Sequence, residues 1–129
     1  MDPHLVLSQT DGRPMYLQIM EQIKQLIAVG DWHPGAKVPS IRELAIATQV
    51  SVITVKRAYQ ELEHEGVLMT QAGVGSFVAQ NDDLGDQIMQ TEIDKHLTSA
   101  LEHAKSFGVT TEALVARLQQ LAKDGADNE

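Results

Sequence analysis

Residues 50–66 read VSVITVKRAYQELEHEG, a helix-compatible stretch with two adjacent cations near its start and three glutamates near its end. A helix dipole favours the opposite order, with acids in the first turn and bases in the last. The hydroxyls of Ser51 and Thr54 come just before the cations Lys56 and Arg57. Recognition helices present their N-terminal residues to the base edges of DNA, so cations belong in the N-terminal half of such a helix. We infer that this binding chemistry overrides the dipole preference.

A helical wheel divides this stretch into two faces. The core side consists of Ser51, Val55, Ala58, Tyr59 and Leu62. The opposite face carries Ile53, Arg57, Gln60 and His64, with Lys56 at its flank. An isoleucine exposed in a first turn needs a reason, and the methyl group of thymine is an apolar target in the major groove of DNA. The alternative is a solvated face on which Arg57 and Glu61 form a pair that contributes about 0.2–0.5 kcal/mol.

Two further helices are predicted before this stretch. Apolar residues recur at helical spacing from Pro14 to Val29, and Gly30 suits the end of that helix. The segment DWHPGAKVP follows as a loop with the Pro-Gly signal of a turn. Ser40 and Glu43 then match the capping box that opens a helix, here a short one.

A hairpin is predicted after the stretch, because two β-like runs at residues 67–71 and 76–80 are joined by AGVG. The second and third helices are separated by a short turn, and the small residues Ala45 and Ala47 let them approach closely. A helix-turn-helix needs a turn of about 3–4 residues. We therefore predict a mainly α fold with a small β-hairpin, a winged helix-turn-helix over residues 1–80. The alternative is a small α+β domain in which the helix pair only packs.

Residues 81–129 are predicted to form a helical dimerisation segment. Apolar residues recur from Leu84 to Phe107, Gly108 interrupts the pattern, and a second amphipathic helix follows a threonine cap at position 110 or 111. Two helices of this size cannot bury both apolar stripes alone, and most oligomers are symmetric homo-oligomers. We therefore expect a homodimer. The alternative is that both helices fold back onto the first domain.

The charge of the chain is uneven. It carries 10 basic and 18 acidic residues in all, of which residues 1–80 hold 6 basic and 8 acidic and residues 81–129 hold 4 basic and 10 acidic. Residues 37–57, however, contain four cationic side chains and a single acidic one, Glu43. Local charge on one face is what steers a ligand. Net acidity therefore does not exclude a nucleic-acid partner.

Several classes of protein are disfavoured. The absence of cysteine removes disulfides, thiolate zinc sites and cysteine nucleophiles. With no long apolar run and no signal-peptide pattern, we expect a cytoplasmic protein without a membrane partner. No two histidines have the i, i+4 spacing of metal ligands, and neither a phosphate loop nor a catalytic constellation stands out. We expect no metal, no cofactor and no enzymatic activity, and the sequence identifies no small-molecule effector.

The motifs together resemble the GntR family of bacterial transcription regulators, and within it the short YtrA-type subfamily. GRPMYLQIMEQIKQLI is similar to the first helix of that subfamily, and GDWHPGAKVPSIRELA to its turn and second helix. SVITVKRAYQELEHEGVLMTQAGVGSFVA is similar to its third helix and wing, and the acidic two-helix tail to its dimerisation segment. The resemblance implies a homodimeric DNA-binding transcription regulator, a repressor, that binds a pseudo-palindromic operator.

The resemblance also implies roles for single residues. Arg42 matches an arginine that contacts DNA from the second helix, and Lys56 matches a commonly basic position that lies against the operator. Gly73 and Gly75 match the glycines of a wing tip that reaches the minor groove. The complete predicted DNA-binding set is Lys37, Ser40, Arg42, Ser51, Val52, Ile53, Thr54, Lys56, Arg57, Gly73 and Gly75.

Two positions depart from the pattern of the family. Val52 stands where many members have arginine, and Ala72 stands where the wing often carries a basic residue. Both changes remove positive charge, so we expect the operator to differ from those of better-known relatives. They also favour the alternative function, a winged-helix module that binds protein without specific DNA binding.

Overall fold

The computed structural model describes residues 5–127, and within them the elements follow the predicted order. The helices are α1 (Met15–Ala28), α2 (Ile41–Thr48), α3 (Val52–His64), α4 (Leu84–Ser106) and α5 (Thr111–Asp127). The strands are β1 (Leu68–Gln71) and β2 (Gly75–Val78). The chain divides into two compact units, Met1–Met89 and Gln90–Glu129, which we call the first and the second unit.

Local sequence signals set the ends of α2 and α3. The Ser40 hydroxyl accepts a hydrogen bond from the Glu43 amide at 3.0 Å, and the Glu43 carboxylate accepts one from the Ser40 amide at 3.0 Å, which confirms the predicted capping box. Gln49 closes α2 in the left-handed conformation, with φ of 57°. Ser51 then begins α3, because its hydroxyl accepts from the Thr54 amide at 3.1 Å. The turn between the two helices is therefore short, as predicted.

The core of the first unit lies where α1, α2, α3 and the hairpin meet. Its fully buried side chains come from all of these elements: Ile19, Ile23, Leu44, Val55, Leu62, Leu68 and Val78. Tyr59 joins them and donates its hydroxyl to the Pro39 carbonyl oxygen at 2.6 Å. Burial raises the pKa of Tyr59, because the phenolate would lose its hydration.

The start of α4 also belongs to this core. Leu84 and Ile88 are 6% and 7% exposed and pack among the residues of the core. Gly85 lies so close to α1 that an added Cβ would come within 3.2 Å of the Ile27 carbonyl oxygen. The first unit consequently extends into α4 as far as Met89. The sequence pattern assigns residues from 81 onward to the tail, because apolar periodicity does not show that the first residues of α4 pack against the first unit.

The predicted hairpin is confirmed, with β1 and β2 antiparallel. The segment before α2, predicted as a loop, extends it on the side of β2. Lys37 forms an isolated antiparallel bridge with Phe77, and the Val38 amide donates to the Ser76 carbonyl oxygen at 2.9 Å. The wing is therefore attached to the chain that leads into α2.

An extended strap, residues 5–8, is held along α1 by two glutamines one turn apart. The Gln22 side chain accepts from the Val6 amide at 2.8 Å and donates to the Val6 carbonyl oxygen. The Gln18 side chain accepts from the Ser8 amide at 2.9 Å and donates to the Ser8 carbonyl oxygen at 2.8 Å. Each side-chain amide thus satisfies both backbone groups of one residue, and Leu5 is buried in the core.

The second unit contains the larger part of α4 and all of α5. As predicted, Gly108 separates the helices, with φ of 72°, and the Thr110 hydroxyl caps α5 by accepting from the Ala113 amide at 3.1 Å. Between the helices lies a groove of about 570 Å³, whose apolar lining includes Ala104, Phe107 and Leu114. Across the described residues, no helix is long and apolar enough to cross a membrane.

Candidate nucleic-acid interface

Helix α3 buries one face and exposes the other, as the wheel predicted. Its buried residues are Val55, Ala58, Tyr59 and Leu62. On the opposite side Ile53 is 81% exposed, and Lys56 and Arg57 are exposed too. The wheel was wrong about Ser51, which lies exposed at the N-cap rather than in the core. The reason is that a cap residue stands outside the helical repeat.

The predicted hydroxyls at the start of α3 are engaged with each other. The Ser51 and Thr54 hydroxyl oxygens are 2.8 Å apart, in addition to the bond from the Thr54 amide to Ser51. Thr54 is half-buried, whereas Val52 between them is 47% exposed. The pair therefore fixes the first turn of α3, which also carries Val52 and Ile53. Prealigned side chains lose less conformational entropy when they bind a partner.

The guanidinium of Arg57 is held by α1. It lies 3.8 Å from the centroid of the Tyr16 ring, and its Nη2 donates to the Tyr16 hydroxyl at 3.2 Å. Among the described residues Arg57 thus pairs with Tyr16 rather than with Glu61, its partner in the solvated-face alternative. No local sequence pattern links Tyr16 to Arg57, because the two residues lie 41 positions apart in the chain.

Two of the three glutamates that end the opening stretch fasten α3 to its neighbours. Glu65 accepts from the Lys24 ammonium at 2.8 Å, and the Lys24 side chain is only 9% exposed. Glu63 accepts from the Thr70 amide of β1 at 3.1 Å. These acids therefore have structural partners within the first unit. A signal existed for Lys24, since it falls on the buried face of α1 and a buried ammonium needs a counter-charge.

The predicted wing residues lie on the hairpin and on the segment that pairs with it. Gly73 and Gly75 both have positive φ, 76° and 143°, which non-glycine residues rarely adopt. The stem of exposed Lys37 lies over Gly75, where an added Cβ would come within 2.9 Å of Lys37 Cε. Val74, at the tip, is 55% exposed. Lys37 therefore brings a cation beside Gly75, at the tip end of β2, while the turn itself has Ala72 in place of a basic residue.

The start of α2 supplies two more of the predicted residues. Arg42 is exposed in the first turn. Ser40 and Glu43 are bound to each other in the capping box, and the hydrogen bonds from Ser40 lower the pKa of Glu43, with a further contribution from the charge of Lys37. Glu43 is thus an anion placed close to Lys37. The DNA-binding roles of these residues remain predictions.

The arrangement can present cations, hydroxyls and an exposed isoleucine on a rigid support. In the part of the chain that the structure describes, no group of three or more histidine, aspartate or glutamate side chains is arranged to hold a metal ion. Phosphate contacts position a protein on a duplex, and contacts with base edges specify the sequence. The surface around α3 offers side chains suited to both.

Comparison with known proteins decides the family. The model for "Bacterial regulatory proteins, gntR family" matches residues 15–78, which span α1 to the end of the wing. The transcriptional repressor YtrA of Bacillus subtilis is 36% identical over 113 residues, covering 86% of this chain and 86% of the repressor. The chain belongs to the GntR family. The resemblance to its YtrA-type members, inferred from the sequence, is confirmed.

Solved structures of similar proteins confirm the predicted fold. A GntR family transcriptional regulator from Listeria monocytogenes superposes with a TM-score of 0.71 at 31% identity, covering 85% of this chain and 96% of that one. The DNA-binding domain of AraR in complex with operator ORX1 superposes with a TM-score of 0.50 at 34% identity, covering 57% of this chain and 87% of that domain. This GntR protein is therefore a winged-helix, DNA-binding transcription regulator.

Proposed function

We propose that this GntR protein is a cytoplasmic repressor that binds a pseudo-palindromic operator as a homodimer. The observation that carries the proposal is the exposed face of α3, which presents Ile53, Lys56 and Arg57 on a rigid winged helix-turn-helix. The repressor function of the similar YtrA protein of Bacillus subtilis supports the direction of regulation.

In the proposed complex, the N-terminal half of α3 enters the major groove of the duplex. Val52 and Ile53, the exposed apolar residues of its first turn, contact thymine methyl groups there. Arg42 and Lys56 contact the operator from the starts of α2 and α3. The glycines Gly73 and Gly75 let the wing approach the adjacent minor groove, and Lys37 supplies the cation that Ala72 does not.

The homodimer is proposed from the exposed apolar faces of the second unit. Six large apolar side chains there are each between 44% and 53% exposed: Ile93, Leu97, Leu101, Val115, Leu118 and Leu121. Large apolar side chains exposed at helical spacing on both helices are typical of an interaction surface. A second copy of the chain covers these faces by symmetry, and a symmetric dimer suits half-sites whose centres are one helical turn of DNA apart, about 34–36 Å.

Salt titration tests the DNA contact. The logarithm of the binding constant should fall linearly with the logarithm of salt concentration, with a slope of about −0.9 for each neutralised phosphate. The four exposed candidate cations Lys37, Arg42, Lys56 and Arg57 limit a dimer to a slope of about −7. Operators for this titration are selected by the full-length protein from a random duplex library. Light scattering on the same samples gives the oligomeric state.

A protein-interaction module is the second candidate function, supported by the acidic net charge of the chain and by the uncharged Val52 and Ala72. It predicts that no duplex is enriched in the selection and that a scrambled duplex binds as well as any other. A selected duplex bound by a dimer, with the expected salt slope, supports the repressor proposal. A monomer that selects nothing contradicts it.

A further inference from the structure

Tyr16 and Arg57 form a contact between the first turn of α1 and the middle of α3. The contact has two components, the guanidinium 3.8 Å from the ring centroid and the Nη2–hydroxyl hydrogen bond at 3.2 Å. Arg57 is exposed and Tyr16 is half-buried, so the ring is fixed while the cation on it faces solvent. An exposed arginine with a fixed side chain is unusual, because the side chain has many rotamers of similar energy.

The support beneath this contact is rigid. Helices α1 and α3 pack through the fully buried Ile19, Ile23 and Val55, and the bridge between Lys24 and Glu65 ties them together near the other end of α3. The distance between the backbone of Tyr16 and that of Arg57 is therefore set by the core. The core thus keeps the Tyr16 ring within reach of the Arg57 guanidinium.

The first turn of α1, which carries Tyr16, contains no acidic residue. It therefore places no negative charge beside the guanidinium of Arg57. The acids that flank this turn in sequence, Asp11 and Glu21, are both hydrogen-bonded by Arg13. A tyrosine ring is electron-rich on its face and therefore holds the cation without neutralising it. The guanidinium keeps its full charge and most of its donors for an external anion.

Arg57 lies one helical turn after Ile53 on the exposed face of α3. If Ile53 contacts bases in the major groove, a side chain that leaves this face towards α1 points at the wall of the groove, where the phosphates lie. The planar guanidinium of arginine suits a phosphate, because it can donate two N–H groups to two phosphate oxygens at once.

We infer that Tyr16 is a positioning residue for DNA binding, which holds the Arg57 guanidinium ready for a phosphate of the duplex. The inference rests on the proposed entry of α3 into the major groove. Tyr16 acts before the complex forms, by removing the rotamer freedom that Arg57 would otherwise lose on binding. The phosphate contact itself is made by Arg57.

A double-mutant cycle on the full-length protein tests this role. Wild type, Tyr16→Leu, Arg57→Gln and the double variant are titrated by fluorescence anisotropy against a duplex selected by the wild type and against its scrambled form. Because phosphate contacts are independent of sequence, the scrambled duplex reports on the same effect. Arg57→Gln should weaken binding and reduce the magnitude of the salt slope by about 0.9 per subunit.

Tyr16→Leu should weaken binding by about two- to fivefold, the ratio that corresponds to an exposed cation–π contact. In the Arg57→Gln background the same substitution should change the affinity by less than about 1.5-fold, because Tyr16 then has nothing to position. Tyr16→Phe keeps the ring and should keep most of the affinity. Tyr16→Trp serves as a second ring-retaining variant, and thermal unfolding of every variant identifies any that fail to fold.

Three results would overturn the inference, and a fourth would overturn the proposed DNA-binding surface as well. If Tyr16→Leu lowers the melting temperature but leaves affinity unchanged, the contact serves folding only. If Tyr16→Phe binds as weakly as Tyr16→Leu, and does so in the Arg57→Gln background too, the tyrosine hydroxyl contacts DNA itself and positions nothing. If Arg57→Gln binds normally while Arg42→Ala and Lys56→Ala bind weakly, the positioning role of Tyr16 is rejected but the proposed DNA-binding surface is not. Normal binding by all three rejects the proposed DNA-binding surface.

Discussion

The two units of this GntR protein treat their large apolar side chains differently. In the first unit many of them are enclosed by α1, α2, α3, the hairpin and the start of α4, and residues such as Ile19, Ile23 and Leu62 are completely buried. Among the described residues of the second unit, Ala104 is the single buried one, while leucines and isoleucines at helical spacing remain about half exposed. The first unit therefore completes its own core, and the second unit needs further apolar surface. We expect the first to fold alone and the second to depend on a partner.

Removing the second unit should have the largest effect on DNA binding. A chain of residues 1–89 retains the buried start of α4 but loses the exposed apolar faces. Its operator affinity should fall by about 10²–10⁴-fold, because two linked contacts become two independent ones. Affinity for scrambled DNA should fall less, or rise, since acidic residues are removed with the second unit. Titration on both duplexes and light scattering measure this, and a monomeric full-length chain would contradict it.

The position of the cut should decide whether the first unit folds. A chain of residues 1–80 loses Leu84 and Ile88, which are 6% and 7% exposed in the core. Burying an aliphatic side chain contributes about 1.5–3 kcal/mol, so this chain should be less stable than residues 1–89 by about 3 kcal/mol or more. Urea unfolding of the two chains measures the difference. Equal stability would show that the start of α4 adds nothing to the core.

Within the first unit, the salt bridge between Lys24 and Glu65 should contribute more to the free energy of unfolding than any exposed charge on α3. Glu65→Gln removes the carboxylate charge that accepts from the mostly buried Lys24 ammonium at 2.8 Å. We expect a loss of about 1–2 kcal/mol in the free energy of unfolding, because a hydrogen bond between two charged groups becomes one to a neutral acceptor and Glu65 is 40% exposed. Glu61→Gln, an exposed neighbour, is the matched control and should be neutral. A loss of equal size in both variants would contradict this role for the bridge.

A substitution of Ile53 tests whether an exposed apolar residue of the first unit serves binding, as we propose for those of the second unit. Ile53→Ser should leave the free energy of unfolding unchanged and alter discrimination at a thymine-containing position of the operator by about 1–3 kcal/mol. Competition titrations with single-base variants of a selected operator measure the effect. Early melting would instead mark Ile53 as a packing residue, against its 81% exposure.

The smallest effect on binding is expected from single cations at the starts of α2 and α3. Arg42→Ala and Lys56→Ala should each weaken operator binding by about tenfold or less and change the free energy of unfolding by under about 0.5 kcal/mol, since both side chains are exposed. Lys123→Ala, an exposed lysine of the second unit, is the matched control and should leave binding unchanged. Unchanged anisotropy titrations for both Arg42→Ala and Lys56→Ala would count against the proposed surface.

Features encoded within a few residues were predictable from the sequence, and features that depend on distant pairs were not. The capping box of Ser40 and Glu43 spans three positions, and the faces of α3 follow from a single helical period. The contacts of Arg57 with Tyr16 and of Lys24 with Glu65 each join residues 41 positions apart, so no local pattern contains them. Their geometry depends on how α1 packs on α3.

Intermediate cases had a partial signal. The Pro-Gly turn before α2 was correctly predicted, but the pairing of Lys37 with Phe77 was not, because a run as short as Ala-Lys-Val before a proline suits both a loop and an edge strand. The helical repeat from Leu84 onward was predictable as well. Its division between two units was not, since periodicity identifies an apolar face without identifying what covers it.

The strap on α1 gives the first unit two built-in probes for hydrogen exchange. The amide protons of Val6 and Ser8 are bonded to the side chains of Gln22 and Gln18, outside any regular helix or strand. Each can exchange with deuterium from solvent only after its glutamine releases it, so the exchange rates record local opening of the strap. In a deuterium-exchange NMR experiment, these two signals would report how often the chain leaves α1, independently of global unfolding.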